Sequence, residues 1–155
     1  MLEECGMGRY GDNIVEGSMT ELPFDDGAFD GIVCYGALYY LGYSDIKRAV
    51  DQMRRVLKPG GRMMCVVRST QDYRCNEDNC QNTDEPNTYY ISVNDDTKCA
   101  HSENGMIMHF FTESEIRELF EGFDNLNIDM ITESHNSGQF CDSNYIITGI
   151  KGEQI

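Results

Sequence analysis

The chain has 155 residues and a mass of 17.6 kDa, room for one domain, 1–155, built on a single core. Forty per cent hydrophobic and 10% aromatic residues describe a globular protein and exclude a disordered tail. Twenty-seven Asp and Glu against 12 Lys and Arg leave a net charge of −15, a field that repels phosphate backbones and anionic membranes, so no nucleic-acid and no membrane partner is expected.

The opening Met1-Leu2-Glu3-Glu4-Cys5 has neither the basic region nor the apolar run of a secretory signal. Uncharged stretches such as Met63 to Val67 fall far short of the roughly 20 residues that span a bilayer. A cytoplasmic setting is expected. Seven cysteines are an odd number, so at least one cannot pair within the chain, and reduced thiols fit better than a disulfide framework.

Asn13-Ile14-Val15-Glu16 is a short strand candidate, followed by the turn-like Gly17-Ser18. The apolar run Phe29-Asp30-Gly31-Ile32-Val33-Cys34-Tyr35 predicts a central strand covered on both faces. From Ser44 to Leu57 the apolar residues Ile46, Ala49, Val50, Met53, Val56 and Leu57 recur at helical spacing, with Ser44 as the expected N-cap. Lys58-Pro59-Gly60-Gly61 ends that helix and turns the chain into a strand at Met63 to Val67. Residues 70–105 are polar, hold three of the seven cysteines, and read as an insertion or lid within the domain. Thr112-x-x-Glu115 is a capping box, and Phe111 with Ile116 forms a hydrophobic staple, predicting a helix from 113 to about 121. Leu126 to Thr132 and Tyr145 to Ile150 close the chain as two strands, giving an α/β fold, mostly parallel, with a C-terminal antiparallel hairpin.

Three motifs occur in order: Glu16-Gly17-Ser18-Met19-x-x-Leu22-Pro23-Phe24, then Phe29 through Tyr40, then Arg55-Val56-Leu57-Lys58-Pro59-Gly60-Gly61-Arg62. Together they resemble the class I S-adenosylmethionine-dependent methyltransferases of small-molecule type, over roughly residues 13 to 151, and imply a partial Rossmann-like methyltransferase fold. The resemblance implies transfer of a methyl group from S-adenosylmethionine to a small-molecule acceptor. It places Ser18 and Met19 at the adenine, and Cys34, Tyr35, Gly36 and Leu38 beside the methionine part of the cofactor. Tyr39 and Tyr40 would line the methyl-transfer centre, where positioning and exclusion of water suffice without a dedicated base. His109 is the candidate base near the acceptor, and 70–105 would cover the acceptor pocket.

The resemblance begins just before the third strand of such a domain. The glycine-rich cofactor loop and the second strand's acidic residue are therefore expected to be missing, as in a truncated domain. Gly6-Met7-Gly8-Arg9-Tyr10-Gly11 fits G-x-G-x-x-G literally but lacks the strand before and the helix after that the loop requires. In the family's sheet order, 3-2-1-4-5-7-6, loss of strands 1 and 2 leaves an open edge on strand 4. Three outcomes are then open: strand 3 slides across to pair, two copies form a homodimer, or a partner chain supplies the missing half. The alternative function is a non-catalytic module that oligomerises or binds a protein through that edge. A structural zinc on Cys75, Cys80, Cys99 and His101 is a competing reading of the insertion, but the spacing departs from the usual knuckles and no metal is expected. His101 and His135 read as solvent-facing.

Overall fold

A computed structural model describes residues 14–152. The glycine run at 6–11 and Cys5 lie outside the described residues. Two sheets form. The main one contains β1 (Phe29–Tyr35), β2 (Leu57–Arg68), β6 (Phe123–His135) and β7 (Phe140–Lys151), in the order β1-β2-β7-β6. The smaller contains β3 (Cys80–Asn82), β4 (Thr88–Ile91) and β5 (Ile107–His109), all antiparallel. Helix α1 (Tyr43–Val56) crosses from β1 to β2, and α2 (Glu113–Leu119) precedes β6.

The α/β class and the C-terminal hairpin are as expected, but the balance of strand directions is not. Only β1 and β2 run parallel, while β2–β7 and β7–β6 are antiparallel. The hairpin strands are longer than their apolar cores suggest, because pairing continues through polar residues to His135↔Phe140. The main sheet's order corresponds to 4-5-7-6 of the expected arrangement.

The expected strand at 13–16 is absent over its described part. Among the described residues, 14–17 form no ladder, and the pairing nearby is an isolated Ser18↔Glu21 bridge. A four-residue strand has no stability without a neighbour, and β1 has no partner on its outer edge among the described residues. β1 is covered on one face only. Cys34 is 8% exposed, whereas Val33 and Tyr35 on the other face are 68% and 74% exposed.

α1 buries Ile46, Ala49, Val50, Met53 and Val56, the predicted stripe. Its N-cap is Gly42 rather than Ser44, and no side chain of that residue caps it. A distant carboxylate does so instead, since the Tyr43 N–H donates to Glu85 Oε2 at 2.8 Å. β2 begins at Leu57, before the proline and glycines. Its register with β1 jumps between Phe29↔Leu57 and Gly31↔Arg62, so Lys58 to Gly61 are absorbed as a bulge with Gly60 at φ 74°. Arg55 then fastens the first motif to the third: its guanidinium donates to Leu22 O at 2.8 Å and Phe24 O at 2.7 Å, and meets Asp26 at 2.8 Å.

α2 starts as the sequence predicts. Thr112 Oγ1 accepts from Glu115 N at 3.3 Å, Glu115 Oε2 accepts from Thr112 N at 3.4 Å, and the staple residues Phe111 and Ile116 are fully buried. One core joins α1, α2 and the covered face of the main sheet with Ile91, Val93 and Met108 of the small sheet region. Thr112→Ala removes half of the box and is expected to lower unfolding free energy by about 1 kcal/mol, measured by urea denaturation. An unchanged midpoint would show that the box does not hold α2.

Candidate functional site

In an open α/β sheet, ligands bind beyond the carboxyl ends of the parallel strands. Here β1 runs out into Tyr35-Gly36-Ala37 and a single 3-10 turn, Leu38–Tyr40, while β2 ends at Arg68 and enters 70–105. The turn is anchored by burial of Leu38 (0% exposed) and Tyr39 (6%). Gly36 has φ +67°, and a Cβ placed there would come to 3.6 Å from the Tyr39 hydroxyl. The chain thus bends at a residue that readily adopts this angle, between the exposed Tyr35 and the buried Tyr39.

Beneath the bend, Cys34 and Cys65 are direct partners across the parallel pair. The Cys65 thiol hydrogen-bonds the Cys34 sulfur, which holds Cys34 below the ordinary thiol range and, together with burial, pushes Cys65 well above it. Cys34, Cys65, Cys75, Cys80 and Cys141 are free.

Of the other expected cofactor contacts, Met19 is half-buried against the core that holds Cys34, Leu38 and Tyr39. Ser18 is exposed, and its hydroxyl accepts from Thr20 N at 3.2 Å and meets Thr20 Oγ1 at 2.8 Å. That hydroxyl shapes its own turn and keeps an accepting lone pair. No hydrogen bond joins Ser18 to the Cys34–Tyr40 loop among the described residues.

Tyr39 and Tyr40 lie together, ring centroids 4.6 Å apart, with the Arg68 guanidinium 5.4 Å from the Tyr39 ring centre. The Tyr40 hydroxyl donates to Glu103 Oε1 at 2.6 Å. Burial first, then the hydrogen bond to Glu103 and its charge, push Tyr40 above the ordinary tyrosine range. His109 is elsewhere and fully buried. Its Nδ1 pairs with Thr88 Oγ1 at 2.7 Å, its Nε2 faces Glu115 Oε1 at 3.2 Å without hydrogen-bond alignment, and its ring sits edge-on to Phe111 and 5.7 Å from Tyr43. His101 is exposed, while His135 is partly covered, stacked on Phe140 with Nε2 at 3.7 Å from Asp142.

Sequence reasoning missed the charged cluster beside the loop. Asp72, with a side chain 0% exposed, accepts from Arg68 at 3.1 Å, from the Arg74 guanidinium at 3.0 Å, and from the backbone N–H groups of Arg74 and Ser143 at 3.0 and 2.9 Å. Arg74, 2% exposed, also donates to Glu103 Oε2 at 2.7 Å and Asp142 Oδ1 at 3.0 Å. Burial alone would lower Arg74, but Asp72 and Glu103 outweigh it and hold the guanidinium above its usual range. The local sequence carries one hint, Arg68 four residues before Asp72. The partners at 103 and 142 are too distant in the chain to show.

Among the described residues, no group of three His, Cys, Asp or Glu side chains is placed to hold a metal ion, and no helix is long and apolar enough to cross a membrane. Cys75 and Cys80 share a cavity of about 440 Å³ with Tyr89, and the Cys80 thiol donates to Asn76 O at 2.9 Å.

Two outcomes follow from the cluster. Arg74→Met strands buried carboxylates and is expected to cost about 3–5 kcal/mol in urea denaturation, against less than about 1 kcal/mol for Arg117→Met, whose pair with Glu113 is exposed. Equal effects would refute the cluster's role. Because folding raises Tyr40, the folded state holds that proton more tightly than the unfolded chain. Its contribution is intact below the ordinary value of about 10 and is lost as pH climbs beyond it. Glu103→Gln should flatten that alkaline loss in stability measured against pH.

Residues 1–65 match the methyltransferase domain family. A 52-residue stretch, 34% of this chain, is 46% identical to the mitochondrial 2-methoxy-6-polyprenyl-1,4-benzoquinol methylase of Rattus norvegicus and covers 15% of that protein. The chain spans less than a third of the length of the curated relatives it matches. Among solved structures, a Methanosarcina mazei S-adenosylmethionine-dependent methyltransferase superposes with TM-score 0.66 at 20% identity, covering 89% of this chain and 66% of that one. The Burkholderia thailandensis 1,6-didemethyltoxoflavin-N1-methyltransferase, solved with 1,6-didemethyltoxoflavin and S-adenosylhomocysteine, superposes with TM-score 0.61 at 17% identity over 97% of this chain and 56% of that one. In its matched sequence and in its fold, the chain resembles the class I S-adenosylmethionine-dependent methyltransferases.

Proposed function

We propose that the chain takes part in methyl transfer from S-adenosylmethionine to a small-molecule acceptor, at the carboxyl end of β1. The observation that carries this reading is the bend at Gly36, where a positive φ turns the chain at the end of β1 between the exposed Tyr35 and the buried Tyr39. Tyr35 and Gly36 would touch the methionine part of the cofactor, backed by the buried Cys34 and Leu38, and Met19 with Ser18 would hold the adenine. Bound there, the cofactor supplies an electrophilic methyl group on a sulfonium centre. Tyr40, half-buried, would present a ring face that favours a cation and excludes water, with the buried Tyr39 behind it. The Burkholderia thailandensis relative acts, by its name, on a small ring compound, and the rat one on a ring that carries a polyprenyl chain, which supports an acceptor with a ring.

His109 is poorly placed as a base, since it is fully buried and both ring nitrogens face protein groups. In this reading it positions β4 against α2. Segment 70–105 acts as the lid over the acceptor, and the setting is cytoplasmic, in keeping with the free thiols.

Calorimetric titration of the chain with S-adenosylhomocysteine is expected to show micromolar binding, weakened about tenfold in Gly36→Ala with an unchanged circular dichroism spectrum. No binding up to millimolar ligand would overturn the reading. A second reading, association through the outer edge of β1, is favoured by the lack of a partner strand there among the described residues, with Val33 and Tyr35 exposed on the adjoining face. A sedimentation mass that doubles, and returns to that of one chain in Val33→Lys, would support it.

A further inference from the structure

Two carboxylates of the 70–105 segment reach out of it to the same short stretch of chain. Glu103, at the end of the 3-10 turn Cys99–Glu103, accepts from the Tyr40 hydroxyl at 2.6 Å. Glu85, in the turn between β3 and β4, accepts from Tyr43 N at 2.8 Å, where it serves as the cap of α1. Tyr40 and Tyr43 bracket the two-residue link, Leu41-Gly42, between the candidate methyl-transfer turn and α1, so the segment grips both sides of that link.

Each grip is itself held. Glu103 uses its second oxygen to accept from Arg74 Nε at 2.7 Å, and Arg74 is tied to Asp72 and Asp142. One carboxylate therefore joins Tyr40 to the buried charge cluster. Glu85 is presented by Thr83, whose hydroxyl accepts from Glu85 N at 3.2 Å and donates to Thr88 O at 2.7 Å. Its approach depends on Gly42, where an added Cβ would lie 2.8 Å from Glu85 Oε2. Gly42 has φ −69°, so it is the carboxylate's closeness, not the backbone angle, that calls for glycine.

We propose that these contacts form a clasp: the small sheet and the Tyr40–Tyr43 link open and close as one unit, with Glu103 and Glu85 as positioning residues for the methyl-transfer turn. In the closed state the Tyr40 hydroxyl is committed to Glu103 and is withheld from any acceptor. Freeing it requires Glu103 to move away from that hydroxyl. The functional meaning rests on the proposed methyl transfer, but the coupling does not.

Amide hydrogen exchange on the chain without ligand tests it. The reporters are Tyr40 N and Leu41 N on the turn, Ile91 N in the small sheet with Gly105 N, which donates to Ile91 O, and Cys65 N in the main sheet as control. Tyr40→Phe removes one hydroxyl on the turn side and is expected to speed exchange at Ile91 and Gly105 about tenfold, as much as at Leu41, with Cys65 unchanged. Gly42→Ala, which displaces Glu85, should do the same from the other grip. Glu103→Ala should speed both groups, and Glu103→Gln, which keeps an acceptor for Tyr40, should restore most of the protection. Faster exchange at Leu41 alone in Tyr40→Phe and Gly42→Ala would overturn the clasp. If Glu103→Ala fails to fold, those two variants decide. Failure of S-adenosylhomocysteine to bind would refute the methyl-transfer reading and leave the exchange result standing.

Discussion

A carboxylate removed from water must receive both hydrogen bonds and positive charge, or its burial becomes prohibitive. Asp72 receives four hydrogen bonds, two from the guanidinium groups of Arg68 and Arg74 and two from backbone amides. Those four donors come from the end of β2, from the start of the 70–105 segment and from β7. Satisfying one acid therefore fixes where the chain leaves the main sheet and where β7 passes beneath it. Arg74 then demands further acceptors, and Glu103 and Asp142 supply them. Such networks stabilise little relative to an apolar core of equal volume, but they admit few alternative arrangements.

From this anchoring the shape of the candidate site follows. The small sheet buries Ile91 and Met108 in the main core, while the ion cluster sets its position beside the turn after β1. The turn is held from within by Leu38 and Tyr39 and from outside by Glu103 and Glu85. Tyr35, just before the bend at Gly36, is left as the exposed part of an otherwise well-fastened loop.

Much of the fold could be read along the chain because its determinants are local. The apolar stripe of α1 and the Thr112/Glu115 box with its Phe111/Ile116 staple depend on residues three to five positions apart. What escaped depends on distant partners. Ser44 looked like the cap of α1, yet the helix begins two residues earlier, after Gly42, and is capped by Glu85 from the turn between β3 and β4. The run from Phe29 to Tyr35 looked buried on both faces because its composition is apolar, but apolarity does not say whether a covering layer is present, and Val33 and Tyr35 are exposed. His109 suggested a base from its residue type. Its burial against Thr88, Glu115 and Phe111 comes from the pairing of β4 with β5 and the start of α2, neither visible in the residue itself. The tyrosine-bearing loop was found, but its tie to Glu103 needed the fold.

The account of function stands on the stretch from Cys34 to Tyr40 at the end of β1. The measurement that tests it most directly is the map of amide chemical-shift changes as S-adenosylhomocysteine is added to isotopically labelled chain. The account predicts saturable shifts at Met19, Tyr35, Gly36 and Leu38, with the turn at 136–139 between β6 and β7 unaffected. Saturable shifts confined to other surfaces, or none at Gly36 and its neighbours at saturation, would contradict it.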